Sequence, residues 1–386
     1  MRRGLQKMKI TLSACLLAGL LLCTSPMIAQ AAERESVKSI RALMVQISDS
    51  MLRLLPLINE KQPDATEVQR EIGQLNKLFT EAGPHFEEAE IGSQLNYVMI
   101  TEQLQSASRF ATDNNLYSVK TTLAEAFQLC AGCHTQDRKT SKAFGISRLK
   151  SLDEFLAAEY SYLTRDYEAA LISYKNHLTQ VTDDYHRRAL ALDRILVITA
   201  GVYGDPNLTR DTLRQLLPRL SPLSAEQVKV KDWIDVMVRI IRAPDDIQSP
   251  THARTVTEMD QYLTNEWPAI QSALTWNEQQ AYWVVIRSRL NQFMQQPENE
   301  ADTPRLLYWL AVSDRSLHYR FYESISRRYL DRCIRQYPDH PAAKDCFNEY
   351  ELLMIVSYSG SGGVYVPVEV QQELNELRAI VYGTPE

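Results

Sequence analysis

The chain reads as all-α, a four-helix bundle followed by a run of helical hairpins. Three observations predict it. Glycine is scarce, 13 among 386 residues with 16 prolines, too few turn-formers for the many tight corners of a sandwich, barrel or propeller. Apolar residues recur at alternating steps of three and four in four successive segments. Beyond residue 150, small and aromatic residues recur in pairs of short amphipathic segments, as in stacked hairpins. With 45% hydrophobic and 23% charged residues the composition is that of a globular protein, long enough for two domains.

Residues 1–31 stand apart as a secretory signal peptide. Arg2, Arg3, Lys7 and Lys9 precede an apolar run from Leu12 to Leu22, and Ala29-Gln30-Ala31 supplies a small-x-small cleavage site. The run is too short to read as a membrane span. Leu12-Ser13-Ala14-Cys15 has the look of a lipobox, but it sits at the front of the run rather than behind it. The expected location is the periplasm, with no membrane span after cleavage. Cleavage takes the formal charge from -6 to -10, a surface that repels nucleic acid and anionic lipid.

The first helix is marked by Val37, Ile40, Met44, Ile47, Met51, Leu54 and Ile58, a seam at bundle spacing. Val68, Ile72, Leu75 and Phe79 repeat it after Pro63, and Gly83-Pro84 closes that helix. Ile91, Leu95, Val98 and Leu104 suggest a third, less cleanly because Glu102 falls on the seam. Leu116, Val119, Leu123, Ala126, Cys130 and Cys133 mark the fourth. Short connections make the bundle up-down-up-down.

That fourth seam runs into Cys130-Ala131-Gly132-Cys133-His134, the C-x-x-C-H pattern for covalent haem attachment. Two thiols one helical turn apart can each form a thioether with a haem vinyl group, and the adjacent imidazole is placed as proximal iron ligand. Composition alone yields such a pattern in about two chains in a thousand. The competing readings are a structural disulfide or a thioredoxin-like redox pair; the latter wants a βαβ context that is missing here. The expected cofactor is one covalently bound haem c, on Cys130, Cys133 and His134.

Residues 33–145 resemble the cytochrome c-prime family, whose members are four-helix monohaem proteins with C-x-x-C-H in the last helix. Leu123-Ala124-Glu125-Ala126-Phe127 before the motif and Arg138 after it are similar to that family's pattern, and Arg41 looks like its first-helix arginine. The resemblance implies that Arg138 lies near the haem. Asp137 stands where an aromatic usually precedes that basic residue.

The sixth iron position decides between mechanisms. Counting residues in an antiparallel bundle brings Met44 level with His134, and Met51 a heptad, roughly 10 Å, farther along. Met44 is the candidate sixth ligand; the alternative is that both methionines fill the core. His85, in the connection between helices two and three, shares that end and otherwise reads as a surface histidine. Methionine ligation suits electron transfer, whereas an open position admits nitric oxide or carbon monoxide.

Lys139, Lys142, Arg148 and Lys150 mark a basic linker, either solvated or a docking patch for an acidic redox partner. Ser151-Leu152-Asp153-Glu154 reads as a capping box opening the second domain, residues 151–386. Ala158-x3-Tyr162 and Arg165-Asp166-Tyr167-Glu168-Ala169-Ala170-Leu171-x2-Tyr174 resemble a tetratricopeptide repeat without its tryptophan. Further helix starts are expected at Ser224-x-x-Gln227, Thr275-x-x-Glu278 and Thr303-Pro304, and a final helix from about Pro367 after a flexible Ser357–Gly363 loop. The array is either a divergent solenoid with a partner-binding surface or an irregular helical domain. Cys333 and Cys346 flank its last turn and are expected to form a disulfide in an oxidising compartment.

The expected function is one-electron transfer by an exported monohaem cytochrome, an electron carrier rather than a catalyst. Its repeats would dock a redox partner protein or a membrane-complex subunit, or a second copy as a homodimer. The alternatives are a haem-based gas or redox sensor and a haem-containing assembly scaffold.

Overall fold

The computed structural model describes residues 40–60, 63–136, 152–180, 184–243, 249–318 and 325–383. The signal peptide, the basic linker, Arg138 and Ser151 lie outside them.

The described chain is overwhelmingly helical. Its first part comprises α1 (residues 40–59), α2 (Ala65–Ala82), α3 (Ile91–Thr112) and α4 (Leu116–Gln136). On α1 the buried face runs through Leu43, Ile47, Met51 and Leu54, so Leu43 takes the place expected for Met44, which is half-buried at the edge. A straight helix returns to one face after eleven residues rather than ten, which is the offset between Leu54 and these two positions. Helices α1 and α2 are clasped by one buried carboxylate: Ser50 Oγ donates to Glu71 at 2.8 Å, and Arg53 Nε lies 3.0 Å from it.

Asp64 caps α2 by accepting from the backbone N–H of Thr66 and Glu67. Gly83 ends it as expected, and a Cβ there would lie 2.8 Å from the Tyr97 hydroxyl. On α3 the buried stripe is Gly92, Asn96, Met99, Ile100, Leu104 and Ala107. Val98, assigned to the seam from sequence, is 41% exposed. Gly92 and Asn96 carry no hydrophobic signal, yet they face α4, which is why hydropathy misplaced this stripe. On α4 the buried face holds Val119, Leu123, Ala126 and Cys130, as the seam predicted.

The second part begins with the hairpin α5 (Glu154–Leu163) and α6 (Tyr167–Thr179). Ala158 and Ala170 are fully buried where the two helices close, and Tyr174 is buried behind them. Asp153 rather than Ser151 caps α5, its carboxylate accepting from the Leu156 N–H at 2.8 Å. Next come α7 (Tyr185–Leu196), continued by a π-helical turn (Val197–Val202), then α8 (Pro206–Leu216) and α9 (Ala225–Arg242). The helix α10 (Val256–Gln261) runs through a second π turn (Tyr262–Glu266) into α11 (Trp267–Ser272). The remaining helices are α12 (Trp276–Met294), α13 (Thr303–His318), α14 (Ile325–Gln336), α15 (Ala342–Ser357) and α16 (Val368–Tyr382).

Ser224 and Thr275 cap α9 and α12 as expected, the latter in a complete capping box with Glu278. The segment expected to be a flexible loop instead forms a hairpin of β1 (Ser359–Gly360) and β2 (Gly363–Val364). Gly363, at φ +113°, permits its reversal. Cys333 on α14 and Cys346 on α15 are disulfide-bonded.

Most helices of this array pack on their neighbours in sequence, as stacked hairpins do. The array also folds back onto the bundle, with α5, the first π turn and α12 against α4 and α14 against α3. Arg328 pairs with Glu102 at 2.7 Å and Arg332 donates to Gln94 at 3.0 Å across that junction.

Candidate haem-attachment site

The end of α4 lies in this junction. Cys130 and His134 stand four residues apart with Cys133 between them, so the three side chains share one face of the helix. Neither cysteine is in a disulfide. Cys130 is 8% exposed; burial, with the neighbouring Cys133 adding to it, pushes its thiol up to about 12. A thioredoxin-like pair needs the opposite, a nucleophilic cysteine with a depressed pKa. The partly buried Cys133 Sγ lies 3.6 Å from Ser93 Oγ at the start of α3.

His134 is held from the array. Its Nδ1 lies 2.6 Å from the carbonyl oxygen of Leu163, in the last turn of α5. A carbonyl only accepts, so Nδ1 carries the proton and the ring lone pair is on Nε2. A metal-ligating histidine is oriented in this way, with one nitrogen donating to a backbone carbonyl while the other faces the metal. The backbone carbonyl of His134 accepts from the Tyr167 hydroxyl at 2.9 Å.

Two residues further on, Gln136 is 5% exposed. Its side-chain amide donates to the Tyr329 hydroxyl on α14 at 3.3 Å, and its carbonyl accepts from Gln295 at 2.6 Å. Gly92 permits this fit, because a Cβ there would lie 2.6 Å from Gln136 Oε1. The final turn of the motif helix is thus held by α5, α6, α14 and the end of α12.

The opposite face of α4 borders a cavity of about 320 Å³ between bundle and array, where Ala131, Gly132 and Thr135 meet Asn96, Arg194 and Arg287. The arginines there are paired. Arg194 Nε lies 3.2 Å from Glu159, its Nη1 donates to Gln128 at 3.1 Å, and its guanidinium stands 4.4 Å from the Tyr162 ring centre. Arg287 pairs with Asp314 at 3.1 Å.

The structure therefore brings Cys130, Cys133 and His134 together. Met44 is half-buried on α1. The Lys120 ammonium meets the Glu60 carbonyl, which sets the end of α1 beside the start of α4. From there Met44 lies about 24 Å back along α1 and His134 about 21 Å along α4, so the two share a level. Met51 is buried in the bundle core, and His85 sits in a 3-10 turn (Gly83–Phe86) at the same end as the motif.

Leu163, Tyr167, Ser93 and Tyr329 escaped the sequence reading. Tyr167 stands within the repeat-like stretch, and a hydroxyl reaching a carbonyl 33 residues away leaves no local signal. The donor set, two thiols and a histidine protonated at Nδ1, fits covalently attached haem. In comparisons with known proteins, no family model matches the chain, and neither a curated protein nor a solved structure matches it.

Proposed function

We propose that this protein is an exported c-type cytochrome that carries one haem on the end of α4 and transfers single electrons. Cys130 and Cys133 would hold the haem through thioethers, and His134 would bind the iron through Nε2. When bound, haem supplies a one-electron iron couple. Support comes chiefly from one observation, that the His134 ring is locked as the Nδ1–H tautomer by the Leu163 carbonyl beside two cysteines outside any disulfide.

The chain's own residues do the positioning. Leu163 and Tyr167 fix the imidazole and the backbone that carries it, and Gln136 anchors the turn to α12 and α14. The array would dock a redox partner protein or a membrane-complex subunit.

A gas-binding or sensing function is the second reading. It is favoured by α1, where Leu43 turns into the core and Met44 stays at the edge. The test is the reduced visible spectrum of the haem-loaded mature chain before and after exposure to carbon monoxide. A low-spin spectrum that ignores the gas, and that becomes responsive in Met44→Ala, is the result expected for the electron carrier. Prompt binding by the unaltered chain would overturn methionine ligation and favour the second reading.

A further inference from the structure

The cavity of about 320 Å³ between bundle and array has the size of a small-molecule pocket. It lies against Leu129 and Gly132, on the opposite side of α4 from Cys130, Cys133 and His134. A helix is about 10 Å across, so a molecule held there is kept from the motif by the thickness of α4. Part of the wall is the first π turn, through Val197 and Gly201, and such turns recur at functional sites.

The charges around this cavity do not cancel. Arg194 and Arg287 line it against Glu125, Asp193 and Asp314. Both arginines are matched, Arg194 by Glu159 and Arg287 by Asp314. Asp193 accepts from Lys229 Nζ at 2.6 Å and from the Gln280 amide at 3.1 Å. Glu125 is the remainder. It is half-buried in the cavity wall and has no ion pair or hydrogen bond among the described residues. The side chains of Gln103 and Asn291, also half-buried in the wall, have no hydrogen bond among them either.

The helix register brings two of these groups to one end. Gly92 meets Gln136 and Asn96 meets Gly132, an antiparallel alignment of α3 and α4 that sets Gln103 level with Glu125. From there to Gly132 is seven residues, about 10 Å along α4. That length is bordered by Leu129, Leu190, Val197 and Val284. One end therefore offers acceptors and an uncompensated negative charge, and the run beyond it is apolar. A carboxylate drawn out of water favours a cation beside it.

We infer that this cavity binds a small aliphatic primary ammonium ion, with its charge at Glu125 and Gln103 and its hydrocarbon chain directed toward Gly132. An ammonium group has three N–H donors and no acceptor, which suits a carboxylate beside an amide carbonyl. A carboxylate ligand would have to compete with Glu159 and Asp314 for arginines already paired. A dication would bring one charge more than Glu125 can match.

The test is isothermal titration calorimetry of the haem-loaded mature chain with hexylammonium chloride, hexanol and sodium hexanoate, with visible spectra recorded alongside. Saturable one-to-one binding of hexylammonium is expected, tighter than that of either other compound and without change in the haem spectrum. Glu125→Gln should weaken it by about tenfold or more, the loss of one partner of a partly buried charge pair. Gln103→Lys, which supplies a cation level with Glu125, should abolish it. Both positions lack partners to lose, and helicity checks the fold. No binding of hexylammonium, preference for hexanoate or hexanol, or binding that survives both substitutions overturns the proposal. So does binding that shifts the haem spectrum, which would put the amine on the iron. Haem attachment is scored separately by intact mass, so failure at this cavity and failure of the cytochrome reading are told apart.

Discussion

Cys130 and Cys133 stand three residues apart on one helix and are not joined, whereas Cys333 and Cys346 stand on two helices, α14 and α15, and are bonded. Geometry accounts for the difference. Residues three apart on a helix hold their Cβ atoms about 5–6 Å from each other, while a disulfide needs about 3.5–4.5 Å. The α4 pair could close only by distorting its helix. Cys333 and Cys346 have Cα atoms 6.4 Å apart across a hairpin, within the range a disulfide spans. One pair staples a hairpin; the other lies outside any disulfide, next to an oriented histidine.

The contrast extends to what holds each region together. The bundle relies on an apolar seam with one carboxylate clasp, whereas the array adds buried ion pairs and a covalent staple. The largest expected effect comes from Arg194, which pairs with Glu159 in the array and reaches Gln128 on α4. Arg194→Met leaves Glu159 buried without its charge partner, a loss of about 3–5 kcal/mol. The double variant with Glu159→Gln should recover most of it. Urea unfolding of single and double variants measures this, and equal losses in both would refute the account of a stranded charge.

Second in size is the staple. Replacing Cys333 and Cys346 together by alanine removes a closure spanning 13 residues, worth about 2–4 kcal/mol. The thermal midpoint should fall while covalent haem on α4 is retained. Loss of haem in this variant would mean that the two cysteine pairs are not independent.

Acid should separate the two regions next. His177, buried at 5% exposure in the α5–α6 hairpin, has its pKa lowered from 6.5 by burial and then by the nearby charge of Arg187. The unfolded chain therefore takes up a proton where the folded chain resists it. Its contribution is complete above pH 6.5 and falls away as the pH drops below that value. Glu71 in the bundle behaves differently. Burial raises its pKa, but hydrogen bonds from Arg53 and Ser50 and the charge of Arg53 outweigh burial and lower it from 4.5. Its contribution is intact above pH 4.5 and is lost only as the pH falls further. Thermal midpoints from pH 7 to 3 should show His177→Asn flattening the upper part of the profile and Glu71→Gln the lower part. Reversed windows would contradict the assignment.

The smallest effect is at the start of α12. Thr275→Ala should cost about 1 kcal/mol by opening a complete capping box. A loss within error in denaturant unfolding would show that Glu278, which also meets Arg239, holds that end alone.

What could be read from sequence was local. The C-x-x-C-H spacing, the α5–α6 hairpin alanines and the Thr275 box each depend on residues within a few turns of one another. The structure buries the alanines where α5 and α6 close and completes the Thr275 box, as expected. Readings that required a helix's rotation fared worse: Met44 lost its seam position to Leu43, and Val98 turned to solvent because Gly92 and Asn96 face α4. The carbonyl of Leu163 that orients His134, and the docking of Gln136 against Tyr329, join residues far apart in the chain. No periodicity encodes such contacts, so the role of the array in holding the site emerges only from the fold.

The central claim is that α4 carries covalent haem, and intact mass tests it most directly. The mature chain, produced with haem-maturation machinery and denatured, should show the mass of polypeptide plus one haem, with the reduced haem spectrum staying with the polypeptide. His134→Ala should retain the thioethers yet lose the native reduced spectrum. A mass equal to the bare polypeptide, with Cys130 and Cys133 both open to alkylation after unfolding, would contradict the account.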